Sequence, residues 1–202
     1  MEGVSAFVLA GGKSSRMGAD KAFVELGGRR LLDRALELAI AVASDVRIVG
    51  SAEKFGGFGR VVEDEFPECG PLGGIHAALR ASQTELNLML AVDLPFLEAG
   101  FLKYLLNEAH ASKAVVTVPH AGGAWQPLCA VYRREFAAVA EAALRQSKNK
   151  IDPLYGTVVV RAIEEDEMRN CGFSADMFRN LNTPEELSEA NKERESDRYQ
   201  DA

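Results

Sequence analysis

A three-layer α/β/α sandwich around a mostly parallel central sheet is the fold class this sequence predicts, and three observations predict it. Short apolar, β-branched runs alternate with segments whose apolar residues fall at helical spacing, the pattern of strands covered by helices on both faces. One run, LNLMLAVD at 86–93, is the most continuously apolar in the chain, as a strand buried on both faces must be. The first run, VSAFVLA at 4–10, breaks into Gly11-Gly12 at the kind of strand end where open α/β sheets bind ligands.

The elements follow in order. Residues 4–10 read as a buried first strand, LLDRALELAIAVA at 31–43 as a helix and DVRIVGS at 45–51 as the returning strand of a βαβ unit. RVVEDE at 60–65 is a short strand or connection. GPLGGIHAALRAS at 70–82 enters a helix at a proline turn, and 86–93 belongs at the centre of the sheet. A helix over 98–110, strands over 113–119 and 126–133, and an alanine-rich helix over 134–146 come next. The last strand spans 156–163. At 182–195, Thr183, Pro184 and Glu186 stand as a capping box with proline at the first helical position. SDRYQDA at 196–202 is polar enough to be a frayed tail. With no repeat and no linker, residues 1–195 are expected to form one domain.

Composition narrows the function. A chain of 202 residues, 47% hydrophobic and 26% charged, suits one globular core. Its net charge of -7 argues against broad binding to nucleic acid or to a membrane surface, so any anion site must be local. No stretch approaches the roughly 20 apolar residues that span a bilayer, and Met1-Glu2-Gly3 leads straight into a strand without a signal-peptide pattern. The expected compartment is the cytoplasm. Cys69, Cys129 and Cys171 lack paired spacing and predict neither disulfides nor a zinc site. His76, His110 and His120 show no metal spacing and are expected to be solvated or satisfied.

The opening loop, VLAGGKSSRMGADKA at 8–22, carries the strongest chemical signal. A P-loop would need a glycine at position 7, which is Phe7, and Gly11, Gly12 and Gly18 miss the spacing of the dinucleotide fingerprint. What remains is a strand, two adjacent glycines and a basic, hydroxyl-rich loop, with Lys13, Arg16 and Lys21 gathered against one acid, Asp20. Backbone N–H groups and these cations suit a phosphate chain.

Here the chain resembles a known family. LAGGKSSRMGADKA looks like the signature of Rossmann-like nucleotidyltransferases, in particular the MobA-type molybdenum cofactor guanylyltransferases. Related cytidylyltransferases carry LAAG at this place, and sugar-nucleotide pyrophosphorylases LAGGxGTRL. Four further blocks are similar in order: EDEFPECGPLGGIHAAL (63–79) to a D…GPLAG stretch, AVDLPFL (91–97) to CDxP, QPLCAVY (126–132) to QPLxALY, and FRNLNTPEEL (178–187) to NxNTPEDL. Gly73 stands where alanine is common, a change small enough to leave the resemblance standing.

The resemblance implies transfer of GMP from GTP to the terminal phosphate of molybdopterin, with release of pyrophosphate and with Mg²⁺ as cofactor. Catalysis would then be positioning and charge neutralisation, because the acceptor phosphate is already an oxyanion. Arg16 and Lys13 would face the leaving pyrophosphate, Lys21 the α-phosphate, and Asp93 would hold the metal. The nucleotide-binding set is Leu9, Ala10, Gly11, Gly12, Lys13, Lys21, Asp64, Gly70, Pro71, Leu72 and Gly73. Asp64 would accept from guanine or from ribose. Trp125, Gln126, Pro127, Asn180 and Asn182 form the acceptor side. Transient contact with proteins that deliver molybdopterin or mature molybdoenzymes follows from the same likeness.

Bland readings stand beside these. Asp93 also suits a turn cap, Gly70 to Gly73 an ordinary helix start, Trp125 packing, and Asn182 a helix cap. Two other functions fit the same residues: a nucleotidyltransferase using CTP with a pterin cofactor or an NTP with a sugar phosphate, and a non-catalytic binder of nucleotide or cofactor.

Overall fold

Alternation along the first strand separates two cores. The computed structural model describes residues 3–11, 20–181 and 183–200. In β1 (Val4–Leu9), Val4, Ala6 and Val8 enter one apolar cluster while Phe7 and Leu9 enter another. Successive strand side chains point to opposite faces, so the sheet forms a middle layer buried on both sides.

A two-residue hairpin turn at Gly27 and Gly28, both at positive φ, joins β2 (Glu25–Leu26) to β3 (Arg29–Arg30). The chain continues through α1 (Leu31–Ile40), β4 (Asp45–Val49), α2 (Ala52–Phe55), β5 (Arg60–Val62), α3 (Pro71–Ala81) and β6 (Leu86–Ala91). Then come α4 (Ala99–Ala111), β7 (Val116–Ala121), β8 (Ala124–Trp125), β9 (Cys129–Arg133), α5 (Phe136–Leu144), β10 (Val160–Glu164), α6 (Glu165–Asn170) and α7 (Pro184–Gln200). Leu32 and Ala35 of α1 and Phe101, Leu102 and Leu105 of α4 fill one core. Leu72, Ile75 and Leu79 of α3 and Phe136 and Ala140 of α5 fill the other. The layers are those of the expected sandwich.

Among the described residues the sheet runs β10-β7-β9-β6-β1-β4-β5, with β8 paired to β7. β6 lies in the middle, and β1 pairs in parallel with β4 on one side and β6 on the other. β9 is antiparallel to both neighbours, β6 and β7. From β1 the chain builds outward to β4 and β5, then returns to the other side of β1 as β6. The carboxyl ends of β1 and β6 therefore flank a topological switch point, where such sheets open a crevice.

Several boundaries differ from the sequence reading. The strand expected over 156–163 begins only at Val160, because Asp152–Thr157 coils into a 3-10 turn and the Thr157 hydroxyl donates to the Leu154 carbonyl at 2.7 Å. The stretch 126–133 is strand only from Cys129, with Gln126 to Leu128 in the preceding turn. Helix α7 continues to Gln200, past the 195 at which a tail was expected. Its start is as predicted: Thr183 Oγ1 accepts from Glu186 N at 3.2 Å, and Glu186 Oε2 accepts from Thr183 N at 3.1 Å. α7 is tied to the hairpin by Gly27 N donating to Asn191 Oδ1 at 2.8 Å and by packing of Leu181 and Ala190 against Leu26 and Leu31.

The opposite, amino-terminal edge is closed by polar bonds. Ser5 Oγ donates to Asp45 Oδ2 at 2.9 Å, Arg47 holds the same carboxylate at 2.9 Å, and Thr84 Oγ1 reaches Ser5 Oγ at 2.9 Å.

Candidate active site

At the switch point, the end of β1 is locked to both neighbours. Val92 N donates to Leu9 O at 3.3 Å, and Ala10 N and Gly11 N both donate to Val49 O, at 3.0 and 3.1 Å. A Cβ on Gly11 would come within 3.7 Å of Gly50 Cα, so two backbones run close together here. The N–H groups of Ala10 and Gly11 are thus engaged by the sheet. Gly12, Lys13 and Arg16 lie outside the described residues.

Lys21 Nζ stands 3.1 Å from Asp93 Oδ2, and the two side chains are 21% and 24% exposed. This contact joins the two most strongly implicated residues, 72 positions apart in sequence, across the crevice. Oδ1 of Asp93 receives no hydrogen bond from the described residues. One strand-end carboxylate suits a divalent ion whose other ligands are phosphate oxygens and water. Among the described residues no group of three or more His, Cys, Asp or Glu could hold a metal by itself.

The turn that carries Lys21 is buttressed from the β4 side. Asp20 caps Lys21–Phe23 by accepting from Ala22 N at 3.2 Å, and its other oxygen pairs with Lys54 Nζ at 3.0 Å. Phe23 packs on Phe55 and on Phe58, each at 5.7 Å between ring centroids. Adjacent residues therefore pair in opposite directions, Asp20 toward α2 and Lys21 toward β6. Sequence reasoning missed Lys54: it sits in no motif, only in a short polar stretch after a strand.

The second block forms the other wall. Gly70 has φ 69°, a left-handed conformation that favours glycine, and Pro71 opens α3. Leu72 is fully buried in the core, so only its backbone is presented. Asp64 Oδ1 accepts from Phe66 N at 2.8 Å. A Cβ at position 73 would lie 2.5 Å from Asp64 Oδ2, so an alanine there would require the carboxylate, the end of a flexible side chain, to shift. Burial pushes the Asp64 carboxyl above its ordinary value, while the Phe66 N–H and His76 pull it back.

His76 corrects an expectation. It is neither solvated nor satisfied: 1% exposed, it has no hydrogen-bond partner on either ring nitrogen among the described residues. The signal was present, since position 76 falls on the apolar helical face between Leu72 and Leu79.

The residues expected on the acceptor side are more deeply committed to structure. Trp125 packs against His120 at 4.7 Å and edge-on to Tyr155 at 5.4 Å between ring centroids. Gln126 Nε2 donates to Ala121 O at 3.3 Å, and Pro127 O accepts from Tyr132 Oη at 2.9 Å. Because β9 is antiparallel, its first residues lie at the carboxyl ends of its neighbours, and Ala91 N donates to Leu128 O at 2.8 Å. Asn180 is exposed and adjoins Leu181, whose N–H reaches Asp93 O at 3.2 Å; Asn182 lies outside the described residues. A groove of about 530 Å³ opens nearby between α1, the turn at 95–97 and Arg179, but its arginines are committed, Arg29 to Glu37, Arg34 to the Leu26 carbonyl and Arg179 to Glu193.

Comparison with known proteins agrees with this geometry. Residues 6–162 match the sequence profile of the MobA-like NTP transferase domain. The chain is 36% identical to a "Probable molybdenum cofactor guanylyltransferase" of Pelotomaculum thermopropionicum over 91% of its length and 89% of the relative's. To the molybdenum cofactor guanylyltransferase of Desulfosudis oleivorans it is 35% identical, covering 94% and 95%. Among solved structures, the molybdopterin-guanine dinucleotide biosynthesis protein A of Archaeoglobus fulgidus superposes with a TM-score of 0.84 at 27% identity, over 95% of this chain and 99% of that one.

Proposed function

The chain belongs to the MobA-like NTP transferase family, and within it we propose a molybdenum cofactor guanylyltransferase that transfers GMP from GTP to the terminal phosphate of molybdopterin. The acceptor phosphate attacks the α-phosphorus, a new P–O–P linkage forms, and the bond to pyrophosphate breaks. The observation that carries this reading is the Lys21–Asp93 contact across the switch point.

That contact supports a division of labour. Lys21 is a point charge at the α-phosphate, where negative charge builds as the linkage forms. Arg16 and Lys13, in the same loop, take the charge of the departing pyrophosphate. Asp93 would hold Mg²⁺ through one carboxylate; when bound, the ion neutralises phosphate charge. Gly11 and Gly12 keep the backbone narrow where the triphosphate enters, and Gly70, Pro71, Leu72, Gly73 and Asp64 cover the nucleoside. Trp125, Gln126, Pro127, Asn180 and Asn182 belong to the acceptor side. No protein nucleophile is needed.

The free thiols of Cys69, Cys129 and Cys171 support a reducing compartment, the cytoplasm. Since the product is a cofactor for other enzymes, transient contact with proteins that hand over molybdopterin or take the product belongs to the same reading. The deciding measurement is pyrophosphate release from each NTP in Mg²⁺, with and without molybdopterin. Release from GTP only with acceptor supports the reading; activity with CTP alone overturns it.

A further inference from the structure

We infer that Glu164 recognises the ring of the acceptor: its carboxylate accepts together from the N3–H and 2-amino group of the pterin, and His120 is the positioning residue that aims it. This rests on the proposed function, which supplies a pterin as acceptor, and it adds a subsite on β7 and β10 apart from the residues given to the nucleotide.

Three side chains stand in one row across three strands. Glu164 of β10 lies in register with His120 of β7, and His120 with Trp125 of β8. Registered neighbours share one face of a sheet, and the contacts follow the register. His120 Nδ1 is 3.1 Å from Glu164 Oε2, and the His120 and Trp125 ring centroids are 4.7 Å apart. Because β9 is antiparallel to both β6 and β7, those two strands run the same way. The row therefore lies at the carboxyl edge of the sheet, the edge that also carries Asp93 just beyond β6.

A surface ion pair alone would say little about function, but this row is held at both ends. The β7–β8 turn is Gly122-Gly123, both at positive φ, and Glu165 Oε2 accepts from Gly122 N at 2.9 Å. Consecutive glutamates thus grip the hairpin, one at its strand and one at its turn. At the other end, Tyr155 meets Trp125 edge-on, and its hydroxyl lies 3.0 Å from that of Tyr132, which donates to Pro127 O at 2.9 Å. A wall held in this way presents its outer groups in one geometry, as recognition of a planar ring requires. An ionised carboxylate only accepts hydrogen bonds, so His120 Nδ1 donates to it, and lone pairs remain on both of its oxygens. The Glu164 side chain is 60% exposed, against 34% for His120, so the carboxylate stands on the open side of the pair. A pterin offers the matching edge, N3–H beside the 2-amino group. A phosphate would be repelled by the same charge, which assigns this end of the acceptor side to the ring and leaves the phosphate toward Lys21.

Trp125 is the single tryptophan of the chain, so its fluorescence reports on this wall alone. The full-length protein is titrated with free pterin and with lumazine, in which a carbonyl replaces the 2-amino group. Wild type is expected to bind pterin about tenfold or more tightly than lumazine, the scale of one hydrogen bond to a charged acceptor. Glu164→Gln is expected to abolish that preference and to raise KM for molybdopterin about tenfold, with KM for GTP unchanged. His120→Phe, which keeps a ring against Trp125 but cannot hold the carboxylate, should reduce the preference. Glu165→Ala, which frees the turn and leaves Glu164 in place, should retain it. No quenching by either probe, equal affinity of wild type for the two, or a preference unchanged in Glu164→Gln and His120→Phe overturns the inference. So does an equal loss in Glu165→Ala, which would make hairpin order the cause. Should Glu164→Gln fail to fold, His120→Phe decides. The titration needs no turnover, so a wild type that selects pterin but releases no pyrophosphate from GTP overturns the proposed function alone.

Discussion

Lys21 Nζ and Asp93 Oδ2 meet at 3.1 Å across the crevice between β1 and β6, uniting the end of the glycine-rich loop with the end of the central strand. The pair is partly open to solvent, so it contributes no more than about 1 kcal/mol to folding. Its value lies in chemistry. Asp93→Ala is expected to abolish Mg²⁺-dependent turnover, and Lys21→Met to reduce kcat about a hundredfold or more, both with nearly unchanged unfolding curves. Undiminished pyrophosphate release in either variant removes that residue from the site.

The buttress behind Lys21 has a narrow tolerance. A Cβ at Gly50 would approach Phe55 Cε2 to 2.8 Å, and Phe55 is the ring on which Phe23 packs. Gly50→Ala is therefore expected to cost about 1–3 kcal/mol by overpacking. It should also lower kcat more than it raises KM for GTP, since it displaces the turn that presents the lysine. Chemical denaturation and steady-state kinetics on one preparation check both; wild-type values for each would show that Phe55 yields without moving Phe23.

Thr183 and Glu186 exchange hydrogen bonds at the start of α7. Thr183→Ala should destabilise the protein by about 1 kcal/mol and loosen the contact of α7 with the β2–β3 hairpin. Hydrogen exchange at Gly27, whose N–H is held by Asn191, should quicken in the variant. An unchanged rate there would separate the cap from the hairpin.

Asp45 provides a pH test away from the site. Burial opposes its ionisation, yet the Arg47 and Ser5 hydrogen bonds outweigh that and hold its carboxyl below the ordinary value. A depressed carboxylate contributes stability that is full above its unfolded pKa, near 4, and is lost as pH falls through the folded one. Wild type should thus exceed Asp45→Asn in stability at pH 7, and the gap should narrow as pH falls below about 4 toward the lower folded pKa. A gap that does not narrow as pH falls from 7 to below the unfolded pKa would mean that the ionised form is not what stabilises.

The layers of the fold, its central strand and the α7 cap were all legible in the sequence, because each rests on periodicity or on local chemistry. The direction of β9 was not. Its residues CAVYR are as apolar as a parallel strand, and hydrophobic pattern carries no polarity. The β2–β3 hairpin has two-residue strands, too short to show alternation. In the site, Lys21 and Asp93 could be named from their blocks, whereas Lys54 could not: its link to Asp20 exists only because α2 folds back beside the opening loop. His76 was visible as one of a set of apolar positions, but only packing could show that its nitrogens find no hydrogen-bond partner among the described residues.

The reversed strand β9 also has an implication for descent. The residues proposed for the nucleotide side stand at or beyond the ends of the parallel strands β1 and β6 and at or before the start of α3, while Trp125, Gln126 and Pro127 precede a strand of the opposite sense that enters the sheet at its carboxyl edge. Changes in length or sequence at that entry can remodel the proposed acceptor side without disturbing the register of β1 against β4 and β6. A lineage can therefore exchange one phosphorylated acceptor for another while inheriting its nucleotide chemistry intact.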